Sequence, residues 1–118
     1  MSNYIDEFKK CSLESRKADS SRLLEKYPSR CCIIVGKSNT SDIDDIDKHK
    51  FLVPRGLTMG QFQYVIRKKI RCTAEQAIFM FINNKMVPIS YTVGQTFDEN
   101  LSEDGYLYIR YSGENTFG

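Results

Sequence analysis

The alternation of apolar and polar residues divides the middle of the chain into short strands separated by a polar loop. Residues 30–35 (RCCIIV) form an apolar run rich in β-branched side chains, which predicts a strand covered on both faces. Gly36 is predicted to open a loop, because the following Ser- and Asp-rich stretch has no periodicity. Residues 50–53 (KFLV) then predict a second short strand that Pro54 ends, so the two segments should form a hairpin-like pair.

The clearest helix signal lies in the next segment. Gln61 follows Thr58 by three residues, which is the spacing of a capping box. Basic residues follow in the same segment, at Arg67, Lys68 and Arg71, and should lie largely outside the apolar face. That face is predicted to pack on a sheet and consists of Phe62, Val65, Ile66 and Ile70.

The C-terminal half is segmented in a similar way. The predicted elements are, in order, a buried strand over residues 77–82, a turn over 83–85, a short strand near 86–87, a short helix over 92–100 and an alternating strand over 106–111. In the last strand, Leu107 and Ile109 should face the principal helix, whereas Tyr106 and Tyr108 should face the opposite side. The chain from Ser112 onward is predicted to form a free tail.

The region before Pro28 is polar and helix-prone. Tyr4, Ile5 and Phe8 predict a short first helix, and Ser12 is a candidate N-cap for a second helix over residues 13–26. The second helix has only a narrow apolar face, so it suits a position on top of another element. We therefore expect both helices to cover the side of the sheet that the principal helix leaves bare.

This order of elements predicts an α+β fold, namely a ubiquitin-like β-grasp with two additional N-terminal helices. We expect one domain, because 118 residues is an ordinary size for a single core. Within it, residues 1–27 should form a helical subdomain, residues 28–112 the β-grasp core and residues 113–118 a flexible tail.

Charge and hydropathy argue against several classes of function. The formal net charge of +2 is too small for a protein that binds nucleic acid through many phosphate contacts. The longest apolar run, residues 77–82, is far shorter than the ~20 residues that span a bilayer, and the N-terminus lacks an apolar signal segment. We therefore expect a cytoplasmic protein without a nucleic-acid partner.

The cysteines and the single histidine do not indicate a metal site or an enzyme. Cys11, Cys31, Cys32 and Cys72 lack the spacing of zinc ligands with His49, so neither a metal nor a cofactor is expected. Cys31 and Cys32 should point to opposite faces of their strand, which favours buried structural thiols. A cysteine nucleophile would need His49 beside it as a base, and nothing in the sequence brings them together.

Several stretches closely resemble one protein family, in the same order along the chain. They are residues 42–48 (DIDDIDK), 51–54 (FLVP), 60–68 (GQFQYVIRK) and 111–118 (YSGENTFG). The family is that of autophagy-related protein eight, which includes the GABARAP relatives. Cys32 and Tyr106 depart from it, because its members more often have Pro and Phe there. The chain also ends at Gly118, where many relatives carry extra residues that a cysteine protease removes.

The resemblance implies a ubiquitin-like modifier and not an enzyme. An E1-like enzyme would activate Gly118 and an E2-like enzyme would transfer it to phosphatidylethanolamine, while a cysteine protease would process the chain or release it from the lipid. Such proteins act in autophagosome formation, in the cytoplasm and on the autophagosomal membrane. There they recruit cargo receptors that carry an aromatic-x-x-aliphatic motif.

The resemblance also implies a peptide-binding site at the edge of the strand over residues 50–53. The pocket for the aromatic side chain would comprise Asp19, Leu23, Cys32, Ile34, Lys50, Leu52 and Tyr106. The pocket for the aliphatic side chain would comprise Phe51, Val53, Pro54, Leu57, Phe62 and Val65. Acidic residues that precede the peptide's aromatic residue would meet Arg30, Lys48 and Lys50. The alternative function is an adaptor that uses the same grooves without lipid conjugation, because a fold alone does not specify function.

Overall fold

The computed structural model describes residues 4–114 and contains all the helices and strands predicted from the sequence. In chain order they are α1 (Tyr4–Phe8), α2 (Leu13–Lys26), β1 (Arg30–Lys37), β2 (Lys50–Pro54), α3 (Met59–Lys69), β3 (Phe79–Ile82), β4 (Lys85–Met86), α4 (Val93–Asn100) and β5 (Leu107–Ser112). The sheet has the order β2-β1-β5-β3-β4, with β1 and β5 parallel and the other neighbours antiparallel. This arrangement confirms the predicted ubiquitin-like α+β fold.

Side-chain caps begin the three longer helices where the sequence predicted them. Thr58 Oγ1 accepts a hydrogen bond from Gln61 N at 3.0 Å, and Gln61 Oε1 accepts one from Thr58 N at 2.9 Å. This confirms the capping box of α3. The side chains of Ser12 and Thr92 cap α2 and α4 in the same way, each bonding the backbone amide three residues later.

The larger of two hydrophobic clusters lies between α3 and the sheet. Side chains alternate between the faces of a strand, so Cys31, Ile33 and Val35 all point into this cluster. Leu107 and Ile109 belong to it as well, which confirms that they lie on the side of α3. Its other fully or nearly fully buried members include Met59, Phe62, Ile66, Ile70, Met80, Val93 and Tyr111.

The smaller cluster lies on the opposite face of the sheet, under α1 and α2. Cys32 and Ile34 of β1 meet Ile5 of α1 and the ring of Tyr106 there. The partly buried side chains packed against it are Tyr4, Phe8, Leu23, Leu52 and Tyr108. The two N-terminal helices therefore cover the second face as predicted, and Cys31 and Cys32 lie in different clusters.

Two predictions about individual residues are wrong. Gly36 continues β1 instead of opening a loop, and its backbone passes close to α1. A Cβ on Gly36 would lie 2.9 Å from Ile5 Cγ1, so glycine allows this close approach. Val65 is 36% exposed, whereas Met59 is fully buried and contributes to the apolar stripe of α3. Residues 59, 62, 66 and 70 keep the helical period on one face.

The hairpin of β3 and β4 also differs from its prediction. β3 begins at Phe79 and not at Ala77, which is exposed and lies before the paired residues. Asn83 and Asn84 have φ angles of 51° and 65°, so these two residues form the turn by themselves. Lys85, which was predicted in the turn, is the first residue of β4 and pairs with Ile82.

The end of the last strand corrects the prediction of a free tail from Ser112. Ser112 is the final residue of β5, is 1% exposed and pairs with Phe79. Gly113 is held as well, because its backbone N donates to Ser41 Oγ at 3.1 Å. The remainder of the predicted tail beyond residue 114, including Gly118, lies outside the described residues.

Two negative findings concern residues 4–114. No helix in this part of the chain is long and apolar enough to cross a membrane. The same residues contain no group of three or more His, Cys, Asp or Glu side chains placed to hold a metal ion.

Candidate functional site

β2 forms one edge of the sheet, and its backbone has an outward-facing side. Among the described strands it pairs with β1 alone. Val35 N donates to His49 O at 2.8 Å, which fixes the phase of the antiparallel ladder. The backbone groups of Phe51 and Val53 therefore face β1, whereas those of Lys50 and Leu52 face outward. This edge can accept an added strand.

A depression of about 310 Å³ lies beside this edge. It contains five of the seven residues that the resemblance assigned to the aromatic pocket: Leu23, Cys32, Lys50, Leu52 and Tyr106. Asp19 reaches it through hydrogen bonds to Tyr106 and Lys50. Ile34 is fully buried in the smaller cluster, so it supports this region from below and has no exposed surface.

A network of hydrogen bonds centred on Asp19 crosses the depression from α2 to the sheet. Asp19 Oδ2 accepts from the Tyr106 hydroxyl at 2.5 Å and from Lys50 Nζ at 3.0 Å. The hydrogen bond from Tyr106 lowers the pKa of the Asp19 carboxyl and outweighs partial burial, which acts to raise it. Lys50 lowers this pKa further. Burial, together with the bond to Asp19, raises the pKa of the Tyr106 hydroxyl, which therefore remains a donor.

The residues assigned to the aliphatic pocket lie towards the α3 side of β2. Phe51 and Val53 belong to the larger cluster, and Phe51 packs edge-on against Phe62 with ring centroids 5.5 Å apart. Leu57 is partly buried against the same cluster, whereas Val65 is 36% exposed. Pro54, at the end of β2, is exposed. Core residues thus form a floor here, and the exposed side chains stand at its margin.

Three cationic side chains, those to which the resemblance assigned acidic ligands, lie along the β2 edge. Arg30 Nη1 donates to Leu52 O at 3.3 Å, so its guanidinium covers a carbonyl that an added strand would use. Lys48 Nζ lies 5.0 Å from the centroid of the Phe51 ring. Lys50 Nζ, besides its bond to Asp19, lies 5.1 Å from the centroid of the Phe8 ring. All three side chains are exposed and can meet an acidic ligand.

The thiols and the histidine occupy separate environments. Burial raises the pKa of Cys31 to about 11, and burial likewise raises the pKa of Cys32, so both thiols are poor nucleophiles. The His49 ring stacks on Tyr4 with centroids 4.0 Å apart, and its Nδ1 lies 2.9 Å from Val35 O. This geometry gives His49 a packing role beside α1.

The sequence reasoning missed the contacts that attach α2 to the start of β5. Arg16 Nη1 lies 2.6 Å from Asp104 Oδ2, and the Tyr108 hydroxyl donates to the same carboxylate oxygen. We call Arg16, Asp104 and Tyr108 the polar latch. Ser20 Oγ also donates to Asp104 O at 2.5 Å. The adjacent Gly105 made Asp104 look like an ordinary turn residue, so its burial was not foreseen.

A protein-family model described as "Autophagy protein Atg8 ubiquitin like" matches residues 15–118. The chain belongs to the Atg8 family. Autophagy-related protein 8c of Arabidopsis thaliana is 53% identical to it over 106 residues, which are 90% of this chain and 89% of the relative. Autophagy-related protein 8B of Oryza sativa subsp. indica is 51% identical over 107 residues, or 91% of this chain and 90% of the relative.

Solved structures of Atg8 proteins have the same fold. The crystal structure of Trypanosoma brucei ATG8 superposes with a TM-score of 0.84 at 43% identity, covering 91% of this chain and 92% of that one. Plasmodium falciparum Atg8, in complex with a Plasmodium falciparum Atg3 peptide, superposes with a TM-score of 0.83 at 30% identity, covering 92% and 96%. Atg8 membership and the ubiquitin-like fold support a role in autophagy, and lipid conjugation is the known role of the family.

Proposed function

We propose that this chain is a ubiquitin-like modifier that is joined through Gly118 to phosphatidylethanolamine and recruits receptors with aromatic-x-x-aliphatic motifs. The observation that carries the proposal is the open backbone edge of β2, with the depression against α2 on one side and the margin of α3 on the other. The modifier would act in autophagosome formation, in the cytoplasm before conjugation and on the autophagosomal membrane after it.

The chemistry of conjugation belongs to partner enzymes. With ATP, an E1-like enzyme joins the Gly118 carboxylate to AMP and releases pyrophosphate. A cysteine thiolate then displaces AMP to form a thioester, which passes by thiol exchange to an E2-like enzyme. Finally the lipid amine attacks the thioester, loses a proton and releases the enzyme thiolate, leaving an amide. Gly118 suits these steps because a residue without Cβ leaves the carboxylate accessible.

The partner set follows from this sequence of bonds. Besides the E1-like and E2-like enzymes, a cysteine protease would process the C-terminus or hydrolyse the amide to the lipid. The complex of Plasmodium falciparum Atg8 with an Atg3 peptide supports an E2-like partner for this chain. Neither a cofactor nor nucleic acid enters this function, and we assign the chain no catalytic residue of its own.

The β2 edge gives the receptor peptide its direction. Outward backbone groups of Lys50 and Leu52 would pair with the peptide, which would displace the Arg30 guanidinium from Leu52 O. The peptide's aromatic side chain would enter the depression at Cys32 and Tyr106, and its aliphatic side chain would pack towards α3. An acidic residue before the aromatic one would then meet Arg30, Lys48 or Lys50.

A reconstitution tests the conjugation. The full chain is incubated with ATP, cognate E1-like and E2-like enzymes and phosphatidylethanolamine liposomes, and the product is followed by its shift on a urea gel. We expect a shift that requires every component and that the chain lacking Gly118 does not show. If the wild type never shifts with enzymes shown to be active, or the truncated chain shifts equally, the unconjugated adaptor becomes the better function.

A titration tests the groove independently of the enzymes. We expect an aromatic-x-x-aliphatic peptide to bind with micromolar affinity, roughly −8 kcal/mol. Leu52→Ala should weaken binding about tenfold, because it removes apolar contact beside the aromatic anchor. Met86→Ala, on the opposite edge of the sheet, is the matched control and should bind normally. Equal affinity of Leu52→Ala and wild type, with both folded, would overturn the placement of the groove.

A further inference from the structure

Three chain segments meet at one end of the sheet. β5 lies between β1 and β3, parallel to β1 and antiparallel to β3. The end of β1, the end of β5 and the start of β3 must therefore lie together. The loop over residues 38–48 begins at the end of β1, and the C-terminal tail begins at the end of β5. The segment that follows α3 leads into the start of β3.

Side-chain contacts place Gly113 between the two neighbouring segments. On the side of β1, Gly113 N donates to Ser41 Oγ at 3.1 Å. On the side of β3, a Cβ on Gly113 would lie 2.9 Å from Gln76 Nε2. Gln76 N donates to Thr73 O, which also accepts from Arg67 Nη1 at 3.2 Å, so the contacts continue to the last turn of α3. The tail leaves the domain between the loop and the end of α3.

These two segments carry opposite net charges, because the four carboxylates of the loop outnumber Lys48, and the cations of residues 67–71 outnumber Glu75. The loop side has four exposed carboxylates, Asp42, Asp44, Asp45 and Asp47, which we call the acidic lip. The α3 side has three exposed cations, Lys68, Lys69 and Arg71, which we call the basic lip. None of the ion pairs found within residues 4–114 uses a member of either lip. The exit of the tail is thus flanked by exposed net charge of both signs, negative on the loop side and positive on the α3 side.

Arg71 does not follow from the needs of the helix alone. Lysines in the last turn of α3 interact favourably with the helix dipole, so Lys68 and Lys69 have a structural reason to be there. Arg71 lies beyond the C-cap Ile70 with φ of 56°, a conformation that favours glycine. A long cationic side chain at this position extends the basic lip past the end of the helix.

We infer that the two lips orient the domain on the E1-like enzyme that first takes Gly118. This inference rests on the proposed function. Gly118 lies four residues after Glu114, and a chain spans at most about 3.6 Å per residue, so the enzyme's active site must come within about 14 Å of Glu114. An enzyme at that distance faces the exit of the tail. Its surface should be acidic opposite the basic lip and basic opposite the acidic lip.

Opposite charges on the two sides of a tether specify one rotation about it. A single charged patch attracts a partner, but a pair of opposite patches also disfavours the reversed orientation through like-charge contacts. The effect should be largest at the E1-like enzyme, because the free modifier meets it by diffusion from solution. At the next step the modifier already carries a covalent link to the enzyme that delivers it.

The test reverses the basic lip. The lip variant is a triple variant with Lys68→Glu, Lys69→Glu and Arg71→Glu. The control is a second triple variant with Lys17→Glu, Lys26→Glu and Lys85→Glu, which changes the net charge equally at exposed positions away from the exit. Thioester formation on the E1-like enzyme is measured against modifier concentration. We expect KM to rise at least tenfold for the lip variant, with kcat within twofold, and little change for the control. Raising the salt concentration should reduce the difference in KM between wild type and the lip variant, because salt screens the charges.

Peptide affinity for the β2 groove checks that each variant is folded, because none of the substituted positions lines the depression beside β2. If the reversal unfolds the protein, the same positions changed to Gln provide the test. Equal KM for lip and control variants, or a loss confined to kcat, overturns the inference while leaving conjugation intact. A lip variant that is activated normally but no longer binds anionic vesicles overturns it in favour of a lipid surface. A wild type that is never activated overturns the proposed function as well.

Discussion

The two faces of the sheet are held by different kinds of interaction. Against α3, the larger cluster consists of apolar and aromatic side chains, with Ile33, Ile66 and Ile109 at most 1% exposed. Against α1 and α2, the smaller cluster has four buried members and is surrounded by hydrogen-bonded charges. Arg110 of β5, for example, pairs with Asp6 of α1 at 3.0 Å.

This difference follows from the composition of the elements. α3 has an apolar stripe to bury, whereas the buried residue of α2 is the polar Ser20, so α2 must be fixed by directional contacts such as the polar latch. Apolar burial stabilises without regard to angle, but a charged hydrogen bond loses its value when the geometry shifts. The face that holds the aromatic pocket should therefore open at a lower free energy than the α3 face.

Cysteine alkylation gives the largest expected difference between the faces. Exposed Cys11 should react with iodoacetamide first, Cys32 of the smaller cluster more slowly, and Cys31 of the larger cluster at least a thousandfold more slowly than Cys11. Reaction at Cys31 requires nearly global opening, which costs on the order of 5 kcal/mol or more. Burial also raises the pKa of Cys31 to about 11. Peptide mapping by mass spectrometry against time measures the order, and equal rates at Cys31 and Cys32 would remove the distinction.

Truncation in the larger cluster should affect the whole domain. Ile109→Ala should lower the free energy of unfolding by about 2–5 kcal/mol, because it leaves a cavity in a site with no exposed surface. Urea denaturation provides the measurement. Val65→Ala, at a position that is 36% exposed, is the control and should cost less than about 1 kcal/mol. A similar cost for both variants would mean that the α3 face is less tightly packed than described.

Breaking the polar latch should destabilise the packing of α1 and α2 on the sheet and leave the packing of α3 unchanged. Arg16→Met removes the cation beside Asp104, which is 1% exposed, and should cost about 1.5–3 kcal/mol. Amides of α1 and α2 should then lose protection in hydrogen exchange, whereas those of α3 keep it. Arg22→Met, which breaks a more exposed pair with Asp19, should cost less than about 1 kcal/mol. Uniform loss of protection across the domain would contradict the separation.

The smallest effect is a pH dependence of the same face. The folded state lowers the pKa of Asp19, so this carboxylate stabilises fully above its unfolded pKa of about 3.9, and the contribution disappears as pH falls through the folded pKa. The difference in unfolding free energy between wild type and Asp19→Asn should therefore shrink below about pH 4, by about 0.5–1.5 kcal/mol. In a Tyr106→Phe background, which lacks the hydroxyl donor to Asp19, this pH-dependent decrease in the difference should be smaller. A difference that grows in acid would have the wrong sign.

Local patterns were sufficient for the elements themselves. The capping box at Thr58, the N-cap at Ser12 and the alternation in β5 depend on residues within a few positions of one another, so the sequence predicts them directly. The failures occurred where a distant residue decides. Gly36 stays in β1 because it pairs with Arg110 of β5, and Ser112 is held in β5 by pairing with Phe79.

The candidate site likewise has features that were predicted from the sequence and features that only the fold revealed. The resemblance named side chains that the fold does bring to the β2 edge, including Cys32, Leu52 and Tyr106. It did not reveal that Arg30 covers Leu52 O or that Asp19 joins Tyr106 to Lys50. Those contacts connect residues that are far apart in the chain. The first joins β1 to β2, and the geometry of the other two depends on how α2 sits on the sheet.

By itself, the sequence determined the order of the elements, the opposite faces of Cys31 and Cys32, and the family to which the chain belongs. The tertiary structure alone decided the burial of Asp104, the exposure of Val65 and the meeting of the acidic and basic lips at the exit of the tail. The physical reason is the distance along the chain over which each interaction acts. Helix caps and strand alternation are set by covalently close neighbours, whereas burial and the encounter of charges depend on which segments the sheet order places side by side.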